Sequence, residues 1–169
     1  MTPVVVLIGP PGGGKTEVGR LVADRLGVTF RDTDTDVEAR AGTSVSDIFI
    51  DHGEEHFRAL EREAVRTALA EHDGVLALGG GAVLDGGTQD LLRDHHVVYL
   101  EVGFAEGVKR VGLARDRPLL VGNPRAQFRE LLEARRPTYE RVANAVVATD
   151  EREPAEVAEM VLLTLKERP

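Results

Sequence analysis

The stretch Gly9-Pro10-Pro11-Gly12-Gly13-Gly14-Lys15-Thr16 fits the phosphate-binding pattern G-x-x-x-x-G-K-[ST]. Before it, Val4 to Ile8 is a continuous, mostly β-branched apolar run of the kind that forms a strand buried on both faces. After it, Val18, Leu21, Val22 and Leu26 recur at helical spacing, so Lys15 and Thr16 open an amphipathic helix. A strand running through a glycine loop into a helix is the setting the pattern requires, which argues against a glycine-rich turn with an incidental lysine. The residue types fit the chemistry. Glycines let backbone N–H groups curl around a phosphate with no Cβ in the way, and the helix N-terminus adds partial positive charge. Lys15 brings a mobile point charge to the β- and γ-phosphates, and the Thr16 hydroxyl is placed to ligate magnesium.

The 169 residues fit one domain, 1–169, with a real core. Five Phe, two Tyr and no Trp leave that core to Val, Leu, Ala and Ile, which suits an α/β fold with a parallel sheet covered by helices on both faces. A formal net charge of -8 argues against a nucleic-acid groove, so any anionic ligand must meet locally clustered Arg or Lys. With no cysteine there is no disulfide framework and no zinc-thiolate site. No apolar stretch approaches the roughly 20 residues that span a bilayer, and a cytoplasmic protein without a membrane partner is expected.

Along the chain, Val4 to Ile8, Val28 to Phe30, Val75 to Leu78, Val97 to Val102 and Ala145 to Ala148 are five expected strands separated by helical segments, hence a mostly parallel sheet. Gly27 is expected to cap the first helix. Asp32, Asp34 and Asp36 alternate where the second strand should end, in the ligand crevice of an open sheet; Asp36 is expected to cap the next helix, and Asp32 and Asp34 to serve the site. Ser44 to Ile50 and Glu54 to Leu69 read as helices, the second with an apolar stripe of Phe57, Leu60, Ala64 and Ala68 and with Arg58 and Glu61 spaced to pair. Gly79-Gly80-Gly81 at a strand's carboxyl end leaves bare backbone for a ligand. After a short helix, Ala105 to Val111, the irregular segment 112–124 carries Arg115 and Arg117 and reads as a mobile lid. A helix from Ala126 is expected to stop at Pro137, and another to run from Pro154 to Lys166.

Taken together, the phosphate loop, Asp32-Thr33-Asp34, Phe57-Arg58 with Glu61, Gly79-Gly80-Gly81-Ala82, Arg117-Pro118-Leu119-Leu120 and the R-x-P-x-Y match at Arg135 to Tyr139 resemble the shikimate kinase family over nearly the whole chain. The resemblance implies a three-layer P-loop kinase fold with sheet order 2-3-1-4-5, in a monomer acting on ATP and shikimate with Mg2+. It implies that Gly12, Gly13, Gly14, Lys15, Thr16 and Glu17 meet the nucleotide, that Thr16 and Asp32 hold the metal, and that Arg110 and Arg152 border the adenine. It further implies that Asp34 assists deprotonation of the attacking hydroxyl, that Arg58 and Arg135 clamp the shikimate carboxylate over Gly79, Gly80 and Gly81, and that Arg117 closes over the phosphates. Arg136 competes with Arg135 for the clamp. Helical phase favours Arg135, seven after Phe128 and four after Leu131. A gluconate-type kinase would share the loop, metal ligands and lid without needing both arginines, and a non-catalytic nucleotide module would need no acid aimed at an acceptor.

Overall fold

The computed structural model describes residues 2–111 and 124–167. Five strands, β1 (Val5–Ile8), β2 (Phe30–Asp32), β3 (Val75–Ala77), β4 (Val97–Glu101) and β5 (Ala145–Ala148), form one sheet in the order β2-β3-β1-β4-β5. Every pairing is parallel. Central β1 is buried at every residue, and its alternate side chains feed two cores. Val5 and Leu7 face α1 (Lys15–Leu26) and α8 (Pro154–Glu167), meeting Val18, Val22, Val157 and Val161. Val6 and Ile8 face α4 (Glu54–Glu71), α5 (Gly86–Leu92) and α7 (Pro124–Val142), meeting Val65, Ala68, Leu92 and Tyr139. These two faces make the three layers that the sequence leads one to expect. A satellite core of Val37, Ile48, Phe57 and Ala64 ties α2 (Thr33–Ala41) and α3 (Val45–His52) to α4. The remaining helix, α6 (Phe104–Val111), packs on α7 through Val108, Phe128 and Leu132.

The register matters for function because it aligns the strand ends. Asp32 lies beside Ala77. The chain after β2 therefore runs next to Leu78 and Gly79.

Four expectations shift. The second strand starts at Phe30, where it was expected to end, because Val28 is used to close α1: Gly27 is left-handed at φ 68° and the Val28 N–H donates to Ala23 O at 3.0 Å. Asp36 is not the helix cap. Asp32 caps α2 by accepting from Asp34 N at 2.8 Å, and Asp36 pairs with Arg31 at 2.7 Å. Helices α2 and α5 carry too few periodic apolar residues, and α5 too many glycines at its start, to be anticipated from periodicity. Finally, α7 does not stop at Pro137 but continues to Val142. A proline inside a helix costs about 3 kcal/mol, and burial of Tyr139 at 1% exposure, stacked on Tyr99 at 4.9 Å, offsets it.

Gly19 shows how tightly β2 is held against α1, since a Cβ there would run into the Phe30 ring. Gly19→Val should lower stability by about 1–3 kcal/mol, read as a melting point reduced by roughly 3 to 10 °C. A variant that melts at or above wild type would show that β2 moves freely off the helix.

Candidate active site

The phosphate loop joins β1 to α1 and takes a path that side chains would block. Gly12 and Gly14 are left-handed at φ 83° and 82°, and a Cβ on Gly9 would lie 2.7 Å from Leu100 O. Lys15 folds back over the loop, donating to Gly9 O at 2.7 Å and Pro10 O at 3.2 Å. Burial pulls its ammonium down to about 8, against the opposing pull of Asp34 and Asp32. Thr16 Oγ1 lies 3.4 Å from Asp32 Oδ2. Asp32 thus does two jobs: Oδ1 caps α2 while Oδ2 faces the loop. Among the described residues no group of three His, Cys, Asp or Glu could hold a metal. A hydroxyl and one carboxylate oxygen fit magnesium all the same, because that ion usually keeps waters and takes further ligands from phosphate.

At the end of β3 the three glycines admit three different partners. A Cβ on Gly79 would sit 2.5 Å from Asp34 Oδ1 and 2.9 Å from Glu61 Oε2. One on Gly80 would sit 3.1 Å from Pro11 Cδ and 3.4 Å from Arg135 Nη1, and one on Gly81 2.6 Å from Arg58 Nη2. The bare ledge therefore gathers Asp34, Arg58 and Arg135, and touches the phosphate loop. The Thr33 hydroxyl, buried at 0% exposure, accepts from Gly79 N at 3.2 Å and ties the two strand ends together.

Arg58 is fixed by Glu61, which is 3% exposed and binds it at 2.7 Å. Burial raises the Glu61 carboxyl and Arg58 opposes the rise. Asp34 differs. Its Oδ1 is buried with no hydrogen-bond partner, and burial, then Asp32 and Glu61, push its carboxyl up to about 6, with Lys15 opposing. A buried acceptor without a donor costs about 1–3 kcal/mol, so its persistence points to a donor brought by a ligand. Arg135 is partly buried with Nη1 at the glycine ledge, whereas Arg136 is exposed.

On the far side of the loop a cavity of about 300 Å³ is lined by Gly13, Gly14, Glu17, Arg110, Arg152 and Glu153, among others. Arg110 is held there by Gly12 O at 3.1 Å and by both Thr149 Oγ1 at 2.9 Å and Thr149 O at 3.1 Å. Arg152 donates to Ala148 O at 2.9 Å. Sequence reasoning does not single out Thr149, and Tyr139 enters it only as the last residue of the R-x-P-x-Y match, with no role for its hydroxyl. Nothing in a lone buried threonine announces that it orients an arginine 39 residues away. Arg117 and nearly all of the expected lid, 112–123, lie outside the described residues.

In the folded protein the Asp34 carboxyl holds its proton up to about pH 6, against an ordinary value of 3.8. Its contribution to stability is therefore favourable below 3.8 and is lost as pH rises through 6. Asp34→Asn should melt higher than wild type at pH 7.5, with the gain fading toward pH 4. An equal or lower melting point at pH 7.5 would show that the charge is not penalised in the free protein.

Comparison with known proteins identifies the family. The shikimate kinase family model matches residues 11–166. The shikimate kinase of Streptomyces avermitilis is 61% identical over 98% of this chain and 98% of its own length. That of Streptomyces coelicolor is 59% identical over 95% of this chain and 94% of its own. The structure of Acinetobacter baumannii shikimate kinase in complex with shikimate superposes with a TM-score of 0.91 at 34% identity, covering 99% of this chain and 95% of the other. The chain belongs to the shikimate kinase family.

Proposed function

We propose that this shikimate kinase phosphorylates the shikimate 3-hydroxyl with ATP by aiming that hydroxyl at Asp34 and gripping the ring's carboxylate with Arg58 and Arg135. The observation that carries the reading is the unpartnered Asp34 Oδ1, close to Lys15 on one side and to the Arg58 and Arg135 guanidinium groups across the glycine ledge on the other. The acceptor hydroxyl donates to Asp34, its oxygen bonds to the γ-phosphorus in line, the bond to the ADP oxygen breaks, and Asp34 keeps the proton. Lys15, free to swing from Gly9 and Pro10 to the phosphates, and Arg117 reduce the charge repulsion of that transfer. Thr16 and Asp32 would hold magnesium, which supplies charge neutralisation at the phosphates when bound. The adenine would occupy the cavity beside Arg110 and Arg152, over the backbone of Gly12 to Gly14 and near Glu17.

A neutral polyol would leave two guanidinium groups facing no anion, which disfavours a gluconate-type acceptor. The same reading takes the protein as a cytoplasmic monomer whose partners are small molecules.

ADP release measured with shikimate, gluconate and nucleoside monophosphates should depend on shikimate and magnesium. Equal rates with gluconate would overturn the acceptor assignment. Because a protonated Asp34 cannot take the hydroxyl proton, kcat/KM for shikimate should fall as pH drops through about 6. Asp34→Asn should lower kcat at least roughly 100-fold and remove that acid limb. Arg135→Ala should raise the shikimate KM at least roughly tenfold with the ATP KM nearly unchanged, and Arg136→Ala should do far less. A larger loss at Arg136 would move the clamp by one residue.

A further inference from the structure

Tyr139 is 1% exposed and stacks on Tyr99 inside the core under α4 and α7. Nothing in that apolar core requires a hydroxyl; phenylalanine would fill the same space. The hydroxyl instead reaches the rim of the site, where it donates to Gly80 O at 2.5 Å, at the same glycine whose added Cβ would stand 3.4 Å from Arg135 Nη1.

The other two carbonyls of the ledge are held locally, Gly79 O by Ala82 N at 3.1 Å and Gly81 O by Leu84 N at 3.2 Å. The Gly80 carbonyl is the one that depends on a distant residue. In a trans peptide the carbonyl and the next N–H point opposite ways, so holding Gly80 O also aims the Gly81 N–H. Arg135 and Tyr139 are four apart on α7, stacked on one helical face, and the helix stays continuous through Pro137. Burial pushes the phenol up to about 12, so at neutral pH it keeps the proton it donates.

We propose that Tyr139 is a positioning residue for the acceptor, its hydroxyl a relay from the core that holds the Gly80 carbonyl where Arg135 meets the ledge and so fixes the ledge relative to the carboxylate clamp. The proposal rests on the reading that Arg135 and the ledge hold shikimate. It goes beyond that reading by making the two surfaces a single unit whose geometry is set from the core.

Tyr139→Phe keeps the ring stack and removes only the relay. It should raise the shikimate KM roughly three- to tenfold, with kcat reduced by less and the ATP KM unchanged. In an Arg135→Ala background the same change should add less than about twofold, because the clamp against which it fixes the ledge is gone. An unchanged shikimate KM, a parallel rise in both KM values, or the same factor in both backgrounds would overturn the relay while leaving the Arg135 clamp standing. If Arg135→Ala alone left the shikimate KM untouched, the clamp itself would fail and the relay with it. A measurement that needs no substitution at Tyr139 uses the two tyrosines of the chain: 3-fluorotyrosine labelling gives two fluorine resonances, assigned with Tyr99→Phe. The Tyr139 resonance should shift on saturation with shikimate and lose that shift in Arg135→Ala. A resonance that stays in place at saturating shikimate would also overturn the proposal.

Discussion

The site depends on a backbone that carries no side chains where β3 ends. Gly79, Gly80 and Gly81 leave room for Asp34 with Glu61, for Arg135 with Pro11, and for Arg58, respectively. Any Cβ at Gly79 or Gly81 would occupy space now filled by a carboxylate or a guanidinium. The charged groups are thus packed around the peptide plane, Asp34 brought there by the register of β2 and β3 and the arginines by α4 and α7.

That register links stability to chemistry at Asp32. One of its oxygens satisfies an orphan N–H at the start of α2, and the other faces Thr16 across the crevice. The capping role and the metal role look like alternatives in sequence, yet a carboxylate has two oxygens and the helix start places them in different directions. Thr33 works the same way, buried as part of the fold and bonded to Gly79 as part of the ledge. Helix α2 is therefore positioned by Asp32 and Thr33, the residues on either side of which the strand end and Asp34 face the crevice.

Most of the architecture was legible because β1, β4 and β5 are apolar runs bounded by turn residues, and α4 has a clear stripe. The pattern failed where local bonding overrides it. Val28 is β-branched and apolar, but its N–H closes α1, so the strand begins two residues later. Pro137 reads as a stop, but the sequence around it does not reveal that Tyr139 has a partner, Tyr99, waiting 40 positions back on β4. At the site, charged residues in motifs were identifiable by type and spacing. The neutral groups that hold them, Thr149 on Arg110 and Tyr139 on Gly80, were not, because a hydroxyl's role is decided by which distant backbone it meets.

The charge distribution explains why an acidic chain suits anionic ligands. The net charge is -8, yet Lys15, Arg58 and Arg135 gather around the phosphate loop and the glycine ledge, and Arg110 lines the cavity on the far side of the loop. Three of them are held by hydrogen bonds: Lys15 by loop carbonyls, Arg58 by Glu61, and Arg110 by Thr149, Gly12 and Glu106. Two of these three, Arg58 and Arg110, thus meet a carboxylate. Carbonyl and hydroxyl oxygens hold a cation in place without cancelling its charge, so the loop carbonyls fix Lys15 while leaving its charge for a phosphate in a partly desolvated pocket. At Arg58 the neutralising Glu61 is itself penalised by burial. The pairing uses one Nη of Arg58 and leaves the rest of the guanidinium fork, so in the proposed clamp Arg58 is the shielded member and Arg135 stands without a carboxylate bonded to it among the described residues.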